Sequence, residues 1–280
     1  MSEGTSERMS DGVSGIARRI PESSPAFAAL RTSGRAFTSA RVGLGRTGVS
    51  LSTRDRLDFE RCHALARDAV HARLESAALS RTLGSLLGGA VLRLHSAAPD
   101  RATYLQRPDL GRALSESSRT LLSAHAETHP GNTPVLALIV ADGLSALAVE
   151  RHAAPLLEEL LPSLQNWSLA PLSVVEQGRV AIGDEIGLVL RAQLAVILIG
   201  ERPGLSSPDS LGAYVTFDPR PGRTDAERNC VSNIRPEGLN YPQAAAQLGA
   251  ILEQARRRQF TGVALQNQKC FDQTGFPERG

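Results

Sequence analysis

Leu194-Ala195-Val196-Ile197-Leu198-Ile199-Gly200-Glu201-Arg202-Pro203-Gly204-Leu205 decides the fold class of this 280-residue chain. Its first six residues are an unbroken apolar run, rich in β-branched side chains and stopped by glycine. Such a run reads as a strand buried on both faces, and only a sheet covered by helices on both sides buries a strand that way. The strand is expected to be central and parallel. The Gly-Glu-Arg-Pro-Gly that ends it lies where open α/β sheets bind ligands, beyond a strand's carboxyl end. A plain turn carrying a solvated Glu201-Arg202 pair is the alternative reading of the same residues.

The pattern extends in both directions. Val135 to Ala141 is a second apolar run, closed by Asp142-Gly143. Leu144 to Leu161 reads as a helix, with Ser145 early, Pro162 just past its end, and Pro155 inside, where it is expected to kink or split the helix. Leu169 to Val175 is a third strand, residues 177–184 a turn-rich link, and Glu185 to Arg191 a short helix. Downstream, Ala213 to Phe217 reads as a strand, Pro219 to Arg228 as polar loop and Asn229 to Ile234 as a short mixed segment. Pro242 suits the first turn of a last helix ending near Arg258. Upstream, Thr53 to Ser76 reads as a helix with Thr53 as N-cap, Ala90 to Leu94 as a strand, and Tyr104 to Arg112 as the opening of a helix towards His125 that Asp109 is placed to cap. Strands alternating with helices predict an α/β fold with a doubly wound, mainly parallel sheet, preceded by a smaller helical region. The expected divisions are a disordered tail over 1–25, an N-terminal helical region over 26–100, the α/β domain over 101–260 and a C-terminal tail over 261–280. The first tail carries too few large apolar side chains to offset the entropy of ordering it.

Composition narrows the function classes. Hydrophobic residues make up 41%, enough for a core, but aromatics only 4%, so the core must be Leu, Val, Ala and Ile. A formal net charge of +2 argues for neither nucleic acid nor a membrane surface. Lys269 is the sole lysine, and the cysteines are Cys62, Cys230 and Cys270. An odd count without CxxC spacing points away from a disulfide framework and from zinc. No apolar run is long enough to span a bilayer, and the first residues lack a signal-peptide core, so a soluble intracellular protein is expected.

The chain has no P-loop, no G-x-S-x-G elbow, no H-E-x-x-H and no Asp-x-His-x-x-Gly. Gly43-x-Gly45-x-x-Gly48 matches a dinucleotide fingerprint, but no long apolar strand precedes it and the next helix starts only near Thr53. It is read as a decoy, with a turn that contacts another chain as its functional alternative. His63 and His71 are two helical turns apart, not at the i, i+4 spacing of a metal pair. All six histidines lie at or before His152, and none is expected at a strand end of the α/β region. Asp142 and Glu201 end the two best strands; such a pair does acid–base work, caps a following helix or binds a ligand's polar edge. From the residues alone this is a ligand-binding α/β domain with incomplete catalytic equipment.

Six blocks, taken together and in order, carry a resemblance. They are Leu105-Gln106-Arg107-Pro108-Asp109-Leu110-Gly111-Arg112, Val140-Ala141-Asp142-Gly143-Leu144-Ser145, Gly178-Arg179-Val180, Gly183-Asp184-Glu185-Ile186-Gly187, Gly200-Glu201-Arg202-Pro203-Gly204-Leu205 and Cys230-Val231-Ser232-Asn233-Ile234. They resemble the small (light) subunit family of ethanolamine ammonia-lyase, from about Ala40 to about Arg258. The resemblance implies an adenosylcobalamin-dependent lyase that converts ethanolamine to acetaldehyde and ammonia. It implies a large subunit, a TIM barrel that holds substrate and directs the radical, and a Rossmann-like small subunit that closes over the cobalamin at the interface. Region 26–100 would contact the large subunit, in a hetero-oligomer with several copies of each chain. The implied location is the cytoplasm, with packaging in a bacterial microcompartment as an option. Three cofactor-contacting positions of the family fall on Val180, Glu201 and Cys230, with no catalytic residue and no protein ligand to cobalt. Glu201 would accept hydrogen bonds from amides or a ribose hydroxyl, Val180 would pack on the ring or benzimidazole, and Cys230 would pack or offer its backbone, since thiolate ligation needs specific activation. The rival readings are a stand-alone Rossmann-like enzyme with a nucleotide at Gly43-Gly45-Gly48, and a non-catalytic interaction subunit.

Overall fold

The computed structural model describes residues 44, 46–47, 49–128 and 136–265. Both expected tails, apart from residues 261–265, and all three glycines of the Gly43-x-Gly45-x-x-Gly48 match lie outside the described residues. Residues up to Glu60 group as one compact unit and those from Arg61 onward as another. In the first, β1 (Arg46–Thr47) pairs antiparallel with β2 (Ser50–Leu51). Ser52, not Thr53, caps the following helix α1 (Thr53–His71): its Oγ accepts the Asp55 N–H at 3.2 Å. A cap sits outside the helix with its side-chain oxygen two or three residues short of the amide it satisfies, and Ser52 has that offset.

The second unit is built on a six-stranded sheet in the order β3-β5-β4-β6-β7-β8. The strands are β3 (Val91–His95), β4 (Leu136–Ala141), β5 (Leu172–Glu176), β6 (Leu194–Gly200), β7 (Leu211–Phe217) and β8 (Arg228–Ile234). β3–β5, β5–β4 and β4–β6 are parallel, while β6–β7 and β7–β8 are antiparallel. The sheet is thus mostly parallel, as expected, but mixed, with β7 and β8 joined antiparallel where a doubly wound sheet was expected. Parallel neighbours need a crossover, usually a helix; loops 201–210 and 218–227 hold no α-helix and turn the chain straight back. The sheet takes its edge strand from residues 91–95, ahead of the 101–260 span.

The apolar alternation of β4 and β6 explains both layers. Leu136, Leu138 and Val140, with Leu194, Val196 and Leu198, join a core with helices α2 (Ser76–Leu87), α5 (Ala146–Leu160) and α7 (Tyr241–Arg258). Ala137, Ile139 and Ala141, with Ala195, Ile197 and Ile199, join a second core with α4 (Glu116–Thr128) and α6 (Ile182–Val189). All seven residues of β6 are buried, as its unbroken apolar run requires. Pro155 does not split α5, whose N-cap is Ser145. Between β3 and α4, the expected single helix is instead α3 (Arg101–Gln106), capped by Asp100, and a separate 3₁₀ turn over Leu110–Arg112. Asp109 caps nothing; its carboxylate binds Arg107 at 2.7 Å, and Ser115 Oγ takes the Ser118 N–H at the start of α4. Among the described residues no helix is long and apolar enough to cross a membrane.

The ends of β4 and β6 meet backbone to backbone. The Leu144 N–H donates to the Gly200 carbonyl at 2.9 Å, and a Cβ on Gly200 would lie 2.1 Å from the Ser145 oxygen and 2.5 Å from the Asp142 oxygen. Gly200→Ala should therefore destabilise the chain by roughly 2 kcal/mol or more, the cost of overpacking against atoms that cannot yield. Gly249→Ala is the matched control: it lies inside α7, its Cβ would meet only the Ser163 side chain, at 3.6 Å and beyond, and helix propensity favours alanine by about 1 kcal/mol. Urea unfolding of the two variants should move the midpoint in opposite directions.

Candidate functional site

Because β3, β5, β4 and β6 run parallel, their carboxyl ends lie at one edge of the sheet, and the loops leaving β4, β5 and β6 carry three of the six sequence blocks. His95 is the last residue of β3, so a histidine does stand at a strand end; its Nδ1 lies 2.8 Å from the Ser96 carbonyl oxygen.

Asp142, leaving β4, is completely buried. One carboxylate oxygen accepts the Gly178 N–H at 3.1 Å, and the other lies 3.3 Å from Arg101 Nη1. Arg101, itself 5% exposed, also donates to the Gly143 carbonyl at 2.8 Å and to Val70 O at 2.8 Å. Burial pushes the Asp142 carboxyl up to about 6, against the opposing pull of Arg101 and of the Gln177 and Gly178 amides. Sealed in this way, Asp142 cannot pair with Glu201 for acid–base work on a ligand. It bolts the β5–α6 loop to the end of β4.

The same network explains two further blocks. Tyr104 is fully buried and donates its phenol hydrogen to the Gly178 carbonyl at 2.9 Å; burial first, then the Asp142 charge, raises its pKa. The guanidinium of Arg179 sits over the Tyr104 ring at 4.4 Å, a cation–π contact. Gly111 lies against both: a Cβ there would come within 2.8 Å of Arg179 Cγ and of Tyr104 Cε2. The Gly111 carbonyl accepts the Arg179 N–H at 2.7 Å. Arg101 as the partner of Asp142 and Tyr104 as the partner of Gly178 were missed from sequence, since no local spacing links residues that only the sheet topology brings together.

Glu201, Val180 and Cys230, the three positions singled out above, fall on one face of the sheet. Tyr214 and Cys230 are cross-strand partners on β7 and β8, and Tyr214 and Val180 both pack against the core under α6. On this face Tyr214 is half-buried and Cys230 is exposed and unbonded to another cysteine. The Glu201 side chain folds over Gly212, where a Cβ would lie 3.0 Å from Glu201 Oε1 and 3.3 Å from Tyr214 Cε2. Tyr214 thus sits between Glu201 and Cys230; burial raises its pKa, with smaller contributions from Cys230 and Glu201. Glu201 is half-buried and takes hydrogen bonds on Oε2 from Ser210 Oγ and from the Asn233 N–H, unlike the solvated Glu201-Arg202 pair of the alternative reading. α6 is tied to this face by a buried two-pronged ion pair, Arg228 to Asp184 at 2.6 and 2.7 Å, with Thr216 Oγ1 as a third acceptor at 2.9 Å. Among the described residues no group of three or more His, Cys, Asp and Glu is placed to hold a metal ion.

Comparison with known proteins places these features in a family. The family model described as ethanolamine ammonia-lyase light chain (EutC) matches residues 30–266. This chain belongs to the ethanolamine ammonia-lyase light-chain family. The chain is 58% identical to the ethanolamine ammonia-lyase small subunit of Ralstonia nicotianae, over 82% of this chain and 86% of that one. It is 56% identical to the small subunit of Pseudomonas fluorescens, over 84% and 85%, and 54% identical to that of Xanthomonas campestris pv. campestris, over 84% and 86%. All six light-chain blocks lie inside the matched span.

The buried Asp142 makes a pH test of the network. Its folded-state pKa is raised above the unfolded one, so the folded chain binds the proton more tightly. The stability this contributes is whole below the ordinary aspartate range and is lost as pH rises through about 6. Asp142→Asn removes that dependence. The variant should be less stable than the parent, because its amide offers one acceptor oxygen where Asp142 offers two to the Gly178 N–H and Arg101, and the gap should narrow between pH 5 and pH 7.5 in urea unfolding. A gap that stays constant over this range would show that Asp142 is held ionised at pH 5.

Proposed function

We propose that this chain is the small subunit of an adenosylcobalamin-dependent ethanolamine ammonia-lyase, closing the cofactor site where it meets the large subunit. The observation that carries the reading is the family match over residues 30–266 combined with the shared face of Val180, Glu201 and Cys230. On this reading the sheet is a Rossmann-like support and the ligand lies beyond its strand ends, where open α/β sheets hold cofactors. Region 26–100 contacts the large subunit, and the exposed Leu57 and Leu65 of α1, 59% and 48% accessible, supply apolar surface for it. The assembly holds several copies of each chain.

The residues present fit the cofactor. Cobalamin offers amide and hydroxyl donors and an apolar corrin rim. Glu201 has an acceptor oxygen above Gly212, a cradle that a Cβ would fill. Val180 offers a half-buried apolar contact and Cys230 an exposed thiol of modest polarity. Adenosylcobalamin supplies the radical chemistry, and the protein supplies binding and orientation. Val180, Glu201 and Cys230 would hold it from this side, with α6 and the Asp142 network fixing the loop that carries Val180.

Two measurements test this. The purified chain alone, given cofactor and ethanolamine, should release no acetaldehyde; co-expressed with a large subunit from a relative, it should do so only when adenosylcobalamin is added. Turnover by the lone chain, or by the complex without cofactor, would contradict the proposal. Glu201→Ala should weaken adenosylcobalamin binding to the assembled complex by about one to two decades, because a hydrogen bond to a charged group is worth roughly 1.5–3 kcal/mol. Unchanged affinity in a normally assembled complex would remove Glu201 from the site.

A further inference from the structure

Glu201 is not left to find its own orientation. Its Oε2 accepts two hydrogen bonds, from Ser210 Oγ and from the Asn233 N–H at 3.2 Å. Both donors are fixed by backbone geometry. Ser210 is buried, and its carbonyl accepts the Glu201 N–H at 2.9 Å, so the two residues close the β6–β7 loop on each other. Asn233 lies where the β7–β8 register slips: Leu211 pairs with Ile234 but Ala213 with Val231. An extra residue on β8 makes a bulge there, and Asn233 takes a left-handed backbone (φ 59°). Arg235 Nε holds the Asn233 side-chain oxygen at 3.1 Å, and Arg235 Nη1 reaches back to the Ser206 carbonyl at 3.2 Å.

The other oxygen, Oε1, stands over Gly212 and is not among the buried side-chain atoms that lack a partner. A carboxylate with one oxygen committed to the protein and one left open is an oriented acceptor. It matches a neutral donor, an amide N–H or a hydroxyl, and repels a ligand carboxylate or phosphate. Resting on the cobalamin reading above, we infer that Ser210 is a positioning residue. Its hydroxyl, with the Asn233 amide of the β8 bulge, pins Glu201 so that Oε1 alone accepts a hydrogen bond from a neutral N–H or O–H donor of the cofactor. Gly212 is part of the device, since a Cβ there would lie 3.0 Å from Oε1 and 3.1 Å from Cγ and push the carboxylate by a few tenths of an ångström.

The test uses the assembled complex with the large subunit and reads cobalamin affinity from its absorbance spectrum, with no turnover needed. Ser210→Ala should weaken binding about tenfold, the loss of one well-placed hydrogen bond to a charged acceptor. Ser210→Thr, which keeps the hydroxyl, should recover most of it. On a Glu201→Ala background, Ser210→Ala should cost nothing more, because it acts only through Glu201. Comparing adenosylcobalamin with cyanocobalamin identifies the donor. A loss confined to the adenosyl form means a donor on the adenosyl group, and an equal loss with both means a donor the two share, a corrin amide or a nucleotide-loop group. Parent-like affinity in Ser210→Ala overturns the inference, as do losses that multiply in the double variant. If Ser210→Ala does not assemble, Gly212→Ala decides: it displaces Oε1 without touching Ser210, and parent-like affinity there overturns the inference. A parent complex that binds neither cobalamin overturns the functional reading itself, and this inference with it.

Discussion

An aspartate with no access to water stands at the end of β4, and the architecture around the strand ends follows from the need to satisfy it. A buried carboxylate is tolerated only when hydrogen bonds and an opposite charge replace its hydration. Asp142 obtains these from the Gly178 amide and from Arg101, which lies on a helix from an earlier part of the chain. Meeting that demand draws α3 over the strand ends, holds Tyr104 beneath the Gly178 carbonyl, and fixes where the β5–α6 loop leaves the sheet. Val180 and α6 begin from that fixed point. Removing one charge of such a pair leaves the other buried and unmatched, which is why the network behaves as a unit.

The two faces of the sheet divide the work. Under α2, α5 and α7 the core is apolar, and it carries the fold. Over β4 and β6 the opposite face is closed in the same way by α4 and α6, but at β7 and β8 it gives way to a half-buried tyrosine, an exposed cysteine and a carboxylate. The antiparallel turn after β6 is what makes this possible. A crossover helix there would have buried the face; a returning hairpin leaves it open and brings the β8 bulge next to Glu201. The buried Asp184–Arg228 pair then holds α6 and the hairpin together across that boundary.

Much of this was legible in the sequence, and the parts that were not share a cause. The uninterrupted runs of β4 and β6 announced two-sided burial, and Pro242 marked a helix start correctly, because those signals act within a few residues; the helix read from Leu144 starts two residues later, with Ser145 as its cap. The antiparallel direction of β7 and β8 was not legible, since a strand's own side chains do not encode its partner's direction. Thr53 and Asp109 looked like caps because of their residue types, yet Ser52 and Ser115 have the required offset. The resemblance supplied Val180, Glu201 and Cys230; nothing in their local sequence says that they share a face, which depends on cross-strand register. Arg101 and Arg228 could not have been matched to Asp142 and Asp184, because partners 41 and 44 residues away meet only after the sheet forms.

The account stands on the open face of β7 and β8 being the surface that closes over the cofactor beside the large subunit. Cys230 is an exposed thiol on that face and reports on it directly. The measurement is its rate of alkylation, followed by peptide mass spectrometry, in the chain alone, in the complex with the large subunit, and in the complex with adenosylcobalamin. The account predicts ready alkylation of Cys230 in the lone chain and strong protection once the complex and cofactor are present. Equal alkylation of Cys230 in all three states would contradict it.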